Sequence, residues 1–351
     1  MNVRERVPLA PLTSLRVGGA ARRFVEAHDE ETLVRAVREA DVRGEPLFVL
    51  GGGSNVVVGD AGFDGLVVRV ASRGVQVARE AGRARLEVAA GEPWDELVAR
   101  AVGEGWSGIE SLSGIPGLAG ATPIQNVGAY GQEVRETVES VRVLDRRAGV
   151  VRDLDARDCR FAYRSSLFKG DDRFVVLRVT FALDARPESA PVRYTELAKA
   201  LGIGAGERAP LAEVRRTVLT LRRRKGMVLD PADPDSVSAG SFFVNPILDA
   251  PALEALRQRL SARSIEPAAL PCFPEEQGRT KVSAAWLIER AGFTKGWGEG
   301  RAGISRKHAL ALVNRGGATA TELLAVAGAI QRGVAEAFGV ALAPEPVLVG
   351  S

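Results

Sequence analysis

Cysteine and histidine are nearly missing from this sequence. Two cysteines in 351 residues, Cys159 and Cys272, exclude a disulfide-stapled scaffold and a cysteine-built metal centre. Two histidines, His28 and His308, exclude a His-rich metal site and leave His308 as the one attractive general base. No Gly-x-Ser-x-Gly elbow accompanies it, so a serine hydrolase is a poor reading, and His308 equally suits a helix end or a loop hydrogen bond. No 18-residue apolar run is free of charge, and the residues after Met1 are polar and charged. Neither a membrane span nor a signal peptide is therefore expected, and the expected compartment is the cytoplasm. Charge of one sign is also in short supply. Lys+Arg 47 against Asp+Glu 44 leaves +3, which does not call for nucleic acid. The four tryptophans, Trp94, Trp106, Trp286 and Trp297, read more simply as core or rim residues than as a base-stacking platform.

Glycine, by contrast, is plentiful: 39 residues without a collagen period. Such glycines serve turns and close approach of backbone to a ligand. The length suits two or three domains, and three regions emerge: 1–75, 76–225 and 226–339, with the tail 340–351 packing back near the first. In the first region the spacing of Leu33, Val34 and Val37 predicts a helix over 29–40 capped by Asp29. Apolar runs at 46–50, 56–58 and 63–70 read as strands, the middle one also as a short helix. The second region offers strands at 86–90, 137–144 and 173–183, with helices at 94–102, 196–201 and 211–224. The third offers helices at 252–263, 282–290 and 320–338 and a strand at 310–314. Short strands joined by glycine-rich loops place the chain in the α+β class.

Several loops carry candidate chemistry. Leu50-Gly-Gly-Gly-Ser-Asn55 is a strand running into glycines whose N–H groups can converge on phosphate. It has neither the Lys-Ser/Thr ending of a P-loop nor a dinucleotide GxGxxG, and a plain tight turn remains an alternative. Gly114-Ile-Pro-Gly117 and Gly120-Ala-Thr-Pro-Ile-Gln-Asn126, extended by Gly128, Tyr130 and Gly131, add the donors Thr122, Gln125 and Asn126. Two such loops favour a large phosphorylated cofactor over either loop alone. Tyr163-Arg-Ser-Ser-Leu-Phe-Lys169 sets the fork of Arg164 beside hydroxyls, suited to a carboxylate or to a surface ion pair. Gly240-Ser-Phe-Phe-Val-Asn245 places Ser241 between a flexible residue and two aromatics, and Ala343-Pro-Glu-Pro346 restrains Glu345. The cluster Arg222-Arg223-Arg224-Lys225 either binds an anion or faces solvent.

In their order, LGGGSN at 50–55, SGIPGLAGATPIQNVGAYGQE at 113–133, YRSSLFK at 163–169, GSFFVNP at 240–246 and GISRKHALALVN at 303–314 resemble the UDP-N-acetylenolpyruvoylglucosamine reductase family. The resemblance runs from Leu15-Arg-Val-Gly-Gly19 to Ala343-Pro-Glu-Pro346, nearly the full chain. It implies an FAD-binding fold of the vanillyl-alcohol-oxidase type in two lobes, with a smaller α+β substrate-binding domain. It also implies NADPH-dependent reduction, through FAD, of UDP-N-acetylglucosamine enolpyruvate in peptidoglycan precursor synthesis, by a cytoplasmic monomer without metal. By motif match Gly51, Gly52, Gly53, Ser54 and Asn55 bind the flavin, as do Gly117, Gly120, Ala121, Thr122, Pro123, Gln125, Asn126, Gly128, Ala129, Tyr130 and Gly131. Arg164, Ser241 and Glu345 carry over as catalytic, and Tyr194, Lys225 and Asn245 as substrate-binding. Tyr194 further suggests the subclass with an added substrate loop. One departure stands out: relatives commonly read Leu-Glu-Pro-Glu where this chain has Leu342-Ala343-Pro344-Glu345. The readings that compete are another FAD oxidoreductase on the same scaffold, such as an alcohol oxidase, and a non-catalytic sugar-nucleotide-binding protein.

Overall fold

The computed structural model describes residues 1–80 and 82–350. Its contacts divide the chain into two units. The first comprises Met1–Val7, Ala20–Gly53 and Phe63–Arg224, and the second Pro8–Gly19, Ser54–Gly62 and Lys225–Ser351.

In the first unit, local chemistry sets where helices begin and end. The Asp29 carboxylate accepts from the Thr32 N–H at 2.6 Å, starting a helix at Glu30–Arg43 that ends on left-handed Gly44. This is an N-cap and a C-terminal glycine doing what their chemistry favours. The helix buries Leu33, Ala36, Val37 and Ala40 in one core with Val25, Leu66 and Val68. The latter belong to a four-stranded sheet ordered Arg4–Pro8, Ala20–Ala27, Phe63–Val70, Leu47–Leu50, the last three parallel. Strand Ala20–Ala27 was not expected from sequence, because Arg22, Arg23 and Glu26 interrupt its apolar pattern. The fold pairs those charges, Arg22 and Arg23 with Glu45 and Glu26 with Arg69.

An antiparallel sheet follows, ordered Val150–Asp155, Val138–Asp145, Phe174–Ala185, Arg83–Ala89, Val75–Glu80, with Trp106–Ser107 also on the central strand. Phe174–Ala185 is buried along most of its length. Helices Thr195–Leu201 and Leu211–Arg224 share a smaller core of Val192, Leu197, Val214, Val218 and Leu221, against which Tyr130 packs.

One ion cluster in this sheet makes a pH prediction. The Asp145 side chain is fully buried and accepts from Arg173 at 2.7 and 2.9 Å, from Arg152 at 2.7 Å and from the Ala148 N–H at 3.2 Å. The Arg173 hydrogen bonds dominate in pulling its carboxyl from the ordinary 3.8 down to about 2. A folded-state value below the unfolded one gives stability that is complete above about pH 4 and is lost as pH falls toward 2. Asp145→Asn should lower the melting temperature at neutral pH and flatten its decline across that acid window. A variant as stable as the parent at pH 7 would refute this.

The second unit is built of short pieces. Ser238–Ser241, Ala311–Asn314 and Ala302–Ile304 form one antiparallel sheet; Ile247–Leu248, Thr280–Val282 and Cys272–Pro274 form another. Val347–Val349 runs parallel to Val56–Val58. Helices Ala250–Ala262, Ala284–Arg290 and Ala320–Phe338 surround a core that includes Phe242, Phe243, Leu287, Ile304, Leu312, Leu323, Ile330 and Phe338. The helix expected from residue 282 starts two residues later, because Thr280–Val282 is a strand and Ser283 accepts from the Trp286 N–H. Helix Ala320–Phe338 opens on a Thr319/Glu322 capping box and closes on left-handed Gly339. The Asp60 carboxylate adds bonds from the Ala320 and Thr321 N–H groups at 2.7 and 3.0 Å.

Candidate active site

In the first unit, strand Leu47–Leu50 runs directly into Gly51–Gly53. A Cβ on Gly52 would lie 2.8 Å from the Gly117 Cα, so the two predicted glycine loops meet backbone to backbone and tolerate no side chain between them. The second loop is braced from beneath. Gly114 N–H donates to Asp95 at 2.6 Å, and Arg215 grips both oxygens of the same carboxylate at 2.6 and 3.0 Å. Such a bidentate pair fixes orientation as well as distance.

Two of the predicted cofactor contacts commit their side chains to protein groups. Thr122 Oγ donates to the Ala119 carbonyl at 2.8 Å. Buried Asn126, at φ 45°, donates to Glu133 at 2.8 Å and to the Ala162 carbonyl at 3.0 Å, and accepts from the Arg135 N–H at 3.1 Å. Those bonds tie the 117–131 loop to the 162–169 segment, which carries Arg164. Gln125, in the same loop, is half-buried. Arg164 itself sits at φ 50°, an uncommon conformation for a side chain of this size. Its guanidinium donates to the Gly128 carbonyl at 2.7 Å, and Lys169 Nζ donates to its carbonyl at 2.9 Å. The structure therefore brings Arg164 to the glycine loop.

Tyr194 is 43% exposed and meets Tyr130 edge to face, ring centroids 5.5 Å apart. Burial pushes the Tyr130 hydroxyl up to about 12 and raises that of Tyr194, so both phenols stay protonated at neutral pH. The basic run expected to act as one cluster is divided: Arg223 and Arg224 are exposed and Lys225 is half-buried, whereas Arg222 is buried. Burial lowers the Arg222 pKa against the pull of Tyr130 and Asp95. Sequence reading did not separate it from its neighbours, although its place four residues after Val218, on the apolar face of the helix, was the available signal.

In the second unit, Ser241 follows left-handed Gly240 (φ 72°) in a strand whose register on Ala311–Asn314 shifts between Ser238 and Ser241. A bulge of this kind re-aims the side chain that follows it. Phe242 N–H donates to the Leu310 carbonyl at 2.7 Å on one side, and its carbonyl accepts from the Glu345 N–H at 2.8 Å on the other. Val244 N–H donates to the Ala343 carbonyl at 3.0 Å, so the tail is stitched to the Ser241 segment at two points. The Glu345 backbone is thereby held beside the residue that follows Ser241; Ser241 and Glu345 are both half-buried, and Phe242 and Phe243 are buried.

Asn55, expected at the flavin, donates from Nδ2 to the Glu345 carbonyl at 3.3 Å. Ser54 precedes it, half-buried. Asn245 Oδ1 accepts from the Ala284 N–H at 2.9 Å at a helix start. His308 Nδ1 accepts from the Leu310 N–H at 3.0 Å, a loop bond. Among the described residues no group of three or more His, Cys, Asp or Glu is arranged to hold a metal ion, and no helix is long and apolar enough to cross a membrane.

Two family models match the chain: an FAD binding domain over residues 21–155 and the C-terminal domain of UDP-N-acetylenolpyruvoylglucosamine reductase over 231–349. The chain is 54% identical to the UDP-N-acetylenolpyruvoylglucosamine reductase of Thermobifida fusca, across 98% of this chain and 97% of that one. It is 57% identical to that of Salinispora arenicola, across 97% and 94%. The crystal structure of UDP-N-acetylenolpyruvylglucosamine reductase from Thermus caldophilus superposes with a TM-score of 0.66 at 27% identity, covering 99% of this chain and all of that one. With identity above half along nearly the whole length of these relatives, this chain belongs to the UDP-N-acetylenolpyruvoylglucosamine reductase family.

Proposed function

We propose that this chain reduces UDP-N-acetylglucosamine enolpyruvate to UDP-N-acetylmuramate with electrons from NADPH passed through FAD, in peptidoglycan precursor synthesis, as a cytoplasmic monomer. The observation that carries the reading is the backbone hydrogen bond that holds Glu345 beside Phe242, the residue after Ser241. A left-handed glycine and a strand bulge present the hydroxyl, and a backbone hydrogen bond sets the carboxylate's residue alongside.

The first unit fits the cofactor, because Gly52 and Gly117 meet without side chains and leave two backbone-lined loops side by side. Gly51, Gly52 and Gly53 would hold it there, together with Gly117, Gly120, Ala121, Thr122, Pro123, Gln125, Asn126, Gly128, Ala129, Tyr130 and Gly131; the motif match adds Ser54 and Asn55, which belong to the second unit. Bound FAD supplies hydride transfer from NADPH to the methylene carbon of the enolpyruvyl group. Arg164 offers its planar fork to the substrate carboxylate, where negative charge grows during reduction. Glu345 polarises that same group. Ser241 holds the proton that the ether-bearing carbon takes up, a transfer a hydroxyl can make only to a strongly basic carbon. Tyr194, Lys225 and Asn245 hold the sugar nucleotide.

One anaerobic titration tests the whole reading. NADPH should bleach the visible flavin band of the purified protein, and the enolpyruvyl sugar nucleotide should restore it. Oxygen uptake with simple alcohols and no NADPH dependence would instead indicate an oxidase. Colourless protein that binds the UDP-sugar would indicate a binding protein.

A further inference from the structure

The geometry points to Asn55 as a positioning residue for Glu345, an inference that rests on the role just proposed for Glu345. Asn55 closes the glycine loop that sequence motifs connect with the cofactor, yet its side chain is directed to the C-terminal tail. Its Nδ2 donates to the Glu345 carbonyl at 3.3 Å, and its own carbonyl accepts from the Val347 N–H at 3.0 Å. Directly beyond, Val56, Val57 and Val58 pair in parallel with Val347, Leu348 and Val349.

Glu345 stands between Pro344 and Pro346. Prolines contribute no N–H, so the backbone around Glu345 has few means of anchoring itself. Its N–H donates to the carbonyl of Phe242, next to Ser241, at 2.8 Å. Its carbonyl accepts from Asn55. One bond thus ties Glu345 to the serine's strand and the other to residue 55, and together they set the plane from which the carboxylate projects. An amide is required for the second bond, because a carboxylate of the same shape would set negative charge against the carbonyl oxygen. The two partners lie 290 residues apart in the chain, so no local element supplies this placement.

The test uses the full chain with FAD in excess and reads each half-reaction per bound flavin. Asn55→Ala and the isosteric Asn55→Asp should slow reoxidation by the enolpyruvyl substrate by about tenfold to a hundredfold more than they slow reduction by NADPH, the usual penalty for a small misplacement. Combined with Glu345→Gln, either change should add little, since both act through one group. Deuterium exchange across residues 342–349 should rise in the Asn55 variants, a readout that needs no flavin. Reoxidation at the parental rate, effects that multiply in the double variant, or a tail as protected as the parent's would each overturn the assignment. If Glu345→Gln alone leaves reoxidation intact, the catalytic role of Glu345 fails instead, and the positioning role fails with it.

Discussion

Ser241→Ala is expected to leave the first half-reaction intact and cripple the second. Flavin bleaching by NADPH should proceed at the parental rate, and reoxidation by the enolpyruvyl sugar nucleotide should fall by about 10²–10⁴-fold, the range a positioned general acid contributes. The substitution removes one oxygen from a half-buried strand position and leaves the Phe242 backbone bonds to Leu310 and Glu345 in place. The fold is therefore not at issue, and stopped-flow absorbance separates the two steps. Equal slowing of both, or unimpaired reoxidation, would remove Ser241 from the proton-donating role.

Arg164→Lys should cost about 10–10³-fold in turnover, comparable to the loss of an oxyanion donor. Lysine keeps the charge but not the planar fork. One arm of that fork is already held by the Gly128 carbonyl at 2.7 Å, so the guanidinium is aimed before substrate arrives. The left-handed backbone at Arg164 stores strain that Lys169 helps to hold through the Arg164 carbonyl. An ammonium on the shorter chain can satisfy Gly128 or a carboxylate, but not both in one plane. Steady-state turnover equal to the parent's would count against the clamp.

Where structure is local, it was legible in the sequence. The helices Leu211–Arg224 and Ala320–Phe338 have the expected bounds, since apolar periodicity marks the buried face and, for the latter, Thr319, Glu322 and Gly339 mark the ends. The helix expected over 29–40 runs three residues further, to the glycine that can adopt its C-terminal conformation. Strands with balanced charge were harder. Ala20–Ala27 and Val150–Asp155 carry arginines and acids whose partners lie on other strands or loops, so their patterns show nothing until the sheet is assembled. The strand Val347–Val349 is too short for any period to reveal.

The candidate site divides along the same line. Residue types and motifs are readable along the chain: the glycine loops, the arginine fork, the serine after a glycine and the acid between prolines. Those are properties of a few adjacent residues, and adjacency survives in one dimension. Long-range packing sets the rest: segments 8–19 and 54–62 join the second unit, Arg222 is buried while Arg223 and Arg224 are exposed, and Asn55 reaches the Glu345 carbonyl. Each depends on which distant backbone satisfies a given hydrogen bond or covers a given side chain. Such pairings follow from burying the whole chain's apolar surface while leaving its polar groups bonded, a condition no short window of sequence contains.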